Sequence, residues 1–223
     1  MRFTIPLLAA LALATLAGCT GNDEEAAAPL PLAERFVTAE EAPGSKPDPD
    51  ETRQTTEDLD EFIATLSENA VDPDNEEMTE VFEGAGFKSA GVDTRFYGEV
   101  HTPGQSSHVV SSFIELASDD GATSALDWLE TDVQKPCPGS CAVRHSTFDV
   151  GDIPGGRGVR SIATAEDIER VGTSDQVPFE SYWVGFTNGA LAYTVELFGR
   201  PGSVSEEQAQ EIASAYHDRL TEG

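Results

Sequence analysis

Cys137 and Cys141 are two thiols separated by Pro138, Gly139 and Ser140. Pro and Gly favour a tight turn, so the pair is expected to close a disulfide. Chain-entropy arithmetic makes so short a loop worth about 2 kcal/mol. A redox-active pair and a zinc site are the alternatives. Three residues separate the thiols, where the oxidoreductase motif has two. Zinc would need two further ligands, and only His145 is near. His101 and His108 flank an expected turn, but two histidines without a third ligand make a poor metal site, so both read as solvated rim residues. His145 falls in an expected strand and His217 on the outer side of the last helix, neither with a base or nucleophile at a readable spacing.

Other chemistry finds less support. A serine hydrolase of the Gly-x-Ser-x-Gly type needs its nucleophile on a strand-to-helix turn, and the chain has no such motif. It has no His-Glu-x-x-His and no Gly-x-x-x-x-Gly-Lys. Gly155-Gly156-Arg157-Gly158 leads into a strand rather than a helix N-terminus. Asp72, Asp74, Glu76 and Glu83 outline a calcium loop, but Glu77 stands where its turn needs Gly, and Pro73 stiffens it. A solvated acidic face is the expected reading there. No catalytic residue, metal or cofactor is therefore expected. A hydrolase whose acids come from distant positions is the alternative.

A binding surface has better candidates. Between Lys135 and Arg160 stand four basic residues (Lys135, Arg144, Arg157, Arg160) against two acids. Arg157 and Arg160 follow a glycine-rich segment and could hold an anion, or pair with acidic helices. The last hairpin carries Trp183 beside Thr194 on its small-residue face. Trp183, Thr194, Arg157 and Arg160 are the expected ligand-binding set; a helix covering that face is the alternative.

Charge narrows the partners. The 223-residue chain has 41 acidic and 13 basic side chains, a formal charge of −28. Nucleic-acid binding through a basic groove is excluded, because phosphate affinity needs clustered positive charge. Docking onto anionic lipid by charge is disfavoured for the same reason. Hydrophobic residues at 39%, with eleven Phe, suffice for a core.

Residues 1–18 read as a targeting segment. Ile5 to Ala17 is an apolar run interrupted by Pro6 and Thr15, too short for a span of ~20 residues. It ends in Leu16-Ala17-Gly18-Cys19, which resembles a bacterial lipoprotein signal. That resemblance implies cleavage before Cys19, acyl chains on it, and a lipid-anchored protein on the extracytoplasmic face of the cell membrane. Residues 19–32 read as a flexible tether of ~20 Å reach, and 33–223 as one extracytoplasmic domain. The expected partners are the membrane lipid and either an envelope protein or a small-molecule ligand.

The elements follow from periodicity. Arg35 to Thr38 suggests a short strand, and the Pro- and charge-rich stretch 42–53 a loop. Thr56 is expected to cap a helix with Leu59, Phe62, Ile63 and Leu66 on one face. A second helix runs from about Asn75 to Glu83. From Gln54 to Phe87 there are eleven acids and no Lys or Arg. Strands are expected at 91–101 and 107–117, then a helix capped by Asp119-Asp120 and reaching Val133, with Ala122, Ala125, Leu126 and Leu129 in its stripe. Further strands fall near 142–150 and 157–164. Asn188-Gly189 is the strongest turn cue; it sets Phe186 against Leu191, Val184 against Tyr193 and Tyr182 against Val195. A helix from about Ser205 to Leu220, with Ala209, Ile212, Ala213, Tyr216 and Leu220 in its stripe, ends the chain. This order predicts an α+β fold, a single domain with a mostly antiparallel β-sheet packed with helices.

The mature region, from Cys19 to the last helix, resembles exported lipoproteins of actinobacteria. Phe186-Thr187-Asn188-Gly189-Ala190-Leu191, its flanking strands and the helix after them carry a second resemblance. It is to the extracellular sensor domains of PknH-like kinases and to LpqN-type lipoproteins. That resemblance implies a Mog1/PsbP-like α/β sandwich. The single close pair Cys137 and Cys141 departs from the paired disulfides of the kinase sensors, and no functional residue is carried over.

Overall fold

The computed structural model describes residues 30–49, 53–68, 75–98, 106–135, 142–172 and 176–222. Among these residues eight strands form one antiparallel sheet: β1 (Ser45–Pro47), β2 (Gln54–Thr56), β3 (Ser89–Tyr97), β4 (Ser107–Glu115), β5 (Arg144–Phe148), β6 (Arg157–Ala163), β7 (Phe179–Asn188) and β8 (Leu191–Gly199). Their order is β1-β3-β4-β8-β7-β6-β5, with β2 also on the outer edge of β3. Five helices accompany them: α1 (Leu59–Glu68), α2 (Asn75–Gly84), α3 (Asp119–Val133), α4 (Ala165–Val171) and α5 (Glu206–Glu222). The fold class is α+β, a single domain.

Alternation along the central strands builds two cores. On one face Val109, Phe113, Val184, Phe186, Tyr193, Val195 and Leu197 pack against Ile212, Ala213, Tyr216 and Leu220 of α5. Phe36 and Val37 complete that layer. The expected strand at 35–38 is absent: a short 3-10 helix at Leu32–Glu34 leads into irregular backbone. Its polar groups are met by side chains instead. The Val37 N–H donates to Ser111 Oγ (3.2 Å), Tyr216 donates to the Arg35 carbonyl, and Arg219 donates to the Phe36 carbonyl. On the other face Ala90, Ile114 and Ala192 meet Phe62, Phe82, Ala122, Ala125 and Trp128 from α1 to α3.

Several boundaries differ from the sequence reading, each for a local reason. Thr56 closes β2, and Asp58 caps α1 by accepting from the Asp60 and Glu61 N–H groups at 2.9 and 3.2 Å. Ser118 caps α3, which puts Asp119 and Asp120 in the first turn, where the helix dipole favours them. The 42–53 stretch contains β1, with Pro47 tolerated on an edge. α4, unforeseen, is set by a capping box of Thr164 and Asp167 and ends at Gly172 in the left-handed region (φ 79°).

The last hairpin is shifted by two residues. Phe186 pairs with Tyr193, Val184 with Val195 and Tyr182 with Leu197. Asn188 pairs with Leu191, so the two turn residues are Gly189 and Ala190. Gly189 takes φ 57°, the first-position glycine of a II′-type connection, and Ala190 is spared a positive φ. An even slip leaves every side chain on its expected face. It does change neighbours: Trp183 lies opposite Glu196, not Thr194.

Candidate functional site

The four expected binding residues do not form one surface. Arg157 pairs in register with Gly185, and Arg160 with Tyr182. An odd spacing along a strand puts their side chains on opposite faces. Arg160 lies with Tyr182, donating twice to Glu180 at 2.9 and 2.7 Å. Tyr182 and the Gly202 N–H also donate to Glu180. Burial pushes the Glu180 carboxyl up, but these bonds outweigh it and hold it below the usual range. Arg157 lies on the Trp183 face and is held by Asp127 and Glu130 of α3. Lys135 meets Glu77 and Asp132, and Arg144 meets Asp167. The basic stretch thus pairs with acids, its alternative reading.

Trp183 is 4% exposed, packed with Leu126 and Val159 and flanked by Leu129 and Val133. The covering helix is α3. Gly185 lets it approach: a Cβ there would fall 2.5 Å from Leu126 Cδ1. Trp183 is therefore a core residue, and the open surface lies beside it rather than on it.

That open surface is visible in the burial of the central strands. On β4 and β8 the α5 face is buried at every position from Val109 to Phe113 and from Tyr193 to Leu197. On the opposite face Val110, Ser112, Thr194 and Glu196 are all partly exposed. α3 lies across β6, β7 and the start of β8, and α1 sits over β2 and β3. Beyond the cluster that α1, α2 and α3 form over Ala90, Ile114 and Ala192, a partly exposed floor continues along β4 and β8. Ser112 and Thr194 share a hydrogen bond of 2.6 Å. Glu196 lies between Trp183 on β7 and Val110 on β4. Val92 pairs with Ser112 and joins the floor to a groove of about 290 Å³ lined by Gln54, Thr56, Glu61, Phe62 and Thr65. Phe198 and His108 pair in register at the far end, where His108 Nδ1 stands 3.5 Å from Asp48.

Burial pushes the Glu196 carboxyl up, against the opposing bond from Ser181. A carboxyl raised in the folded state stabilises fully below its unfolded pKa, and that contribution is lost as pH rises through the folded value. Glu196→Gln should therefore melt a few degrees higher than the parent at neutral pH and the same in acid. About 1 kcal/mol is worth roughly 2–4 °C in a chain of this size. Melting temperatures of both proteins across pH would check it; parallel curves would show that Glu196 carries no such cost.

Sequence reading missed Glu196, Ser112 and Val110. The signal was present as a period of two, since Glu196 shares the Trp183 face. Only the register made them neighbours. His145 Nδ1 stands 2.9 Å from Ser161 Oγ, its Nε2 buried without a partner. Cys19, His101, Asp72, Asp74, Cys137 and Cys141 lie outside the described residues. Among the described residues no cluster of three or more His, Cys, Asp or Glu is placed to hold a metal.

No family model matches the chain, and no curated protein matches it. Among solved structures it is similar to the extracellular domain of PknH from Mycobacterium tuberculosis. The identity is 13%, the alignment covers 87% of this chain and 93% of that one, and the TM-score is 0.49.

Proposed function

We propose that the chain is a lipid-anchored binding protein of the cell envelope, held at Cys19 on the extracytoplasmic side and taking a small molecule on the β4–β8 floor. The observation that carries the binding reading is the asymmetry of the central strands, fully covered on one face and partly open on the other. An antiparallel sheet can leave one face to solvent; here helices pack on both faces and still leave this strip of two inner strands partly uncovered. An open strip holding both apolar and hydroxyl groups suits a ligand that buries carbon and satisfies a few polar atoms. The Ser112 and Thr194 hydroxyls spend their hydrogen bond on each other, which favours recognition over nucleophilic attack. The anchor rests on Leu16-Ala17-Gly18-Cys19 after an apolar run.

The test is a small-molecule screen against the full chain in lipid nanodiscs, with Val110→Trp as the blocked form. Val110 is partly exposed, so an indole there fills the floor. Ligands that bind the parent should lose at least tenfold in affinity in Val110→Trp at unchanged melting temperature. Equal binding by both would remove the floor as the site.

A further inference from the structure

We infer that the floor takes an organic cation, an alkylammonium whose nitrogen meets the Glu196 carboxylate and whose carbons lie over Val110 and Val92. This rests on the binding reading above and names the ligand class for the same site.

The argument is one of charge and position. Glu196 sits on an inner strand with Val110 on one side and Trp183 on the other. The residue keeps some exposed surface on this face while its carboxyl lies deep, so an ammonium group reaches it only by entering beside Val110. Among the described residues Ser181 supplies it a hydroxyl, and no cation pairs with it. Basic groups bordering the floor and its groove are engaged elsewhere: Arg157 with Asp127 and Glu130, His108 with Asp48, and Arg53 with Asp93. An ammonium group would give Glu196 the opposite charge that its surroundings lack. An anion would meet this carboxylate and the field of a chain of formal charge −28. A neutral molecule would gain only the apolar contact. The Ser112 and Thr194 pair and Val92 extend the surface beyond the carboxyl, so carbon chain as well as charge is recognised.

The experiment is calorimetric titration of the full chain in nanodiscs of uncharged lipid, at about 0.15 M salt to screen diffuse attraction. The probes are n-hexylammonium, n-hexanol and n-hexanoate. The amine should bind at least tenfold more tightly than the alcohol, and hexanoate should show no heat. Glu196→Gln should erase that preference, and a melting temperature at or above the parent's shows that the variant is folded. Equal affinity of amine and alcohol, an unchanged preference in Glu196→Gln, or no binding of the amine would each overturn the inference. If hexanol binds and Val110→Trp abolishes it without any amine preference, the cation is wrong and the site stands. If amine binding is indifferent to Val110→Trp, the site itself is wrong.

Discussion

Trp183→Ala should cost about 3–5 kcal/mol of stability, the usual price of removing a buried aromatic from a packed core. Trp183 is 4% exposed and joins three elements: its own strand β7, Val159 on β6, and Leu126 on α3. Collapse into the gap is restricted, because Gly185 offers no side chain to fill it. The Leu126 contact ties α3 to the sheet, and α3 in turn carries Trp128 against Phe82 of α2 (centroids 5.7 Å apart). The loss should therefore loosen the helical layer as a unit. Thermal melting should fall by roughly 10 °C or more for a chain of this length. Amide exchange should rise in α2 and α3 well before α5, which packs on the other face. A shift of only a degree or two, or equal loosening of α5, would contradict this placement of Trp183.

Cys19→Ser should transfer the protein from the membrane fraction to the soluble fraction and abolish incorporation of labelled palmitate. The expected effect on palmitate labelling is complete, and once residues 1–18 are removed little else in the chain favours the membrane. A formal charge of −28 opposes anionic headgroups. No helix among the described residues is long and apolar enough to cross a bilayer. Buried acyl carbons, at ~0.8 kcal/mol per CH₂, would supply the affinity, and more than one chain is needed for a stable anchor. Fractionation of cells expressing parent and variant, with palmitate labelling of both, decides it. A variant that still incorporates palmitate, or that stays with the membrane pellet after removal of residues 1–18, would refute lipid anchoring at this residue.

The sequence by itself determined what depends on near neighbours. The stripes Leu59-Phe62-Ile63 and Ala209-Ile212-Ala213-Tyr216 identified α1 and α5, because helical period is written in residues three and four apart. Alternation told which side chains of β7 and β8 share a face, and Gly189 told where the chain turns. The acid excess left the basic residues of 135–160 open to two readings, an anion site or pairing with acids. Tertiary structure decided what depends on register and on cover. A slip of two residues, allowed because the pleat repeats every two, replaced Thr194 by Glu196 opposite Trp183. α3 came down over Trp183 and stopped short of Val110 and Glu196, which no local pattern encodes. β1 and β2 exist only because the outer edge of β3 offers them hydrogen bonds. The site was illegible for the same reason. It is a strip of sheet defined by where covering helices end, and that boundary is set by packing between residues far apart in the chain.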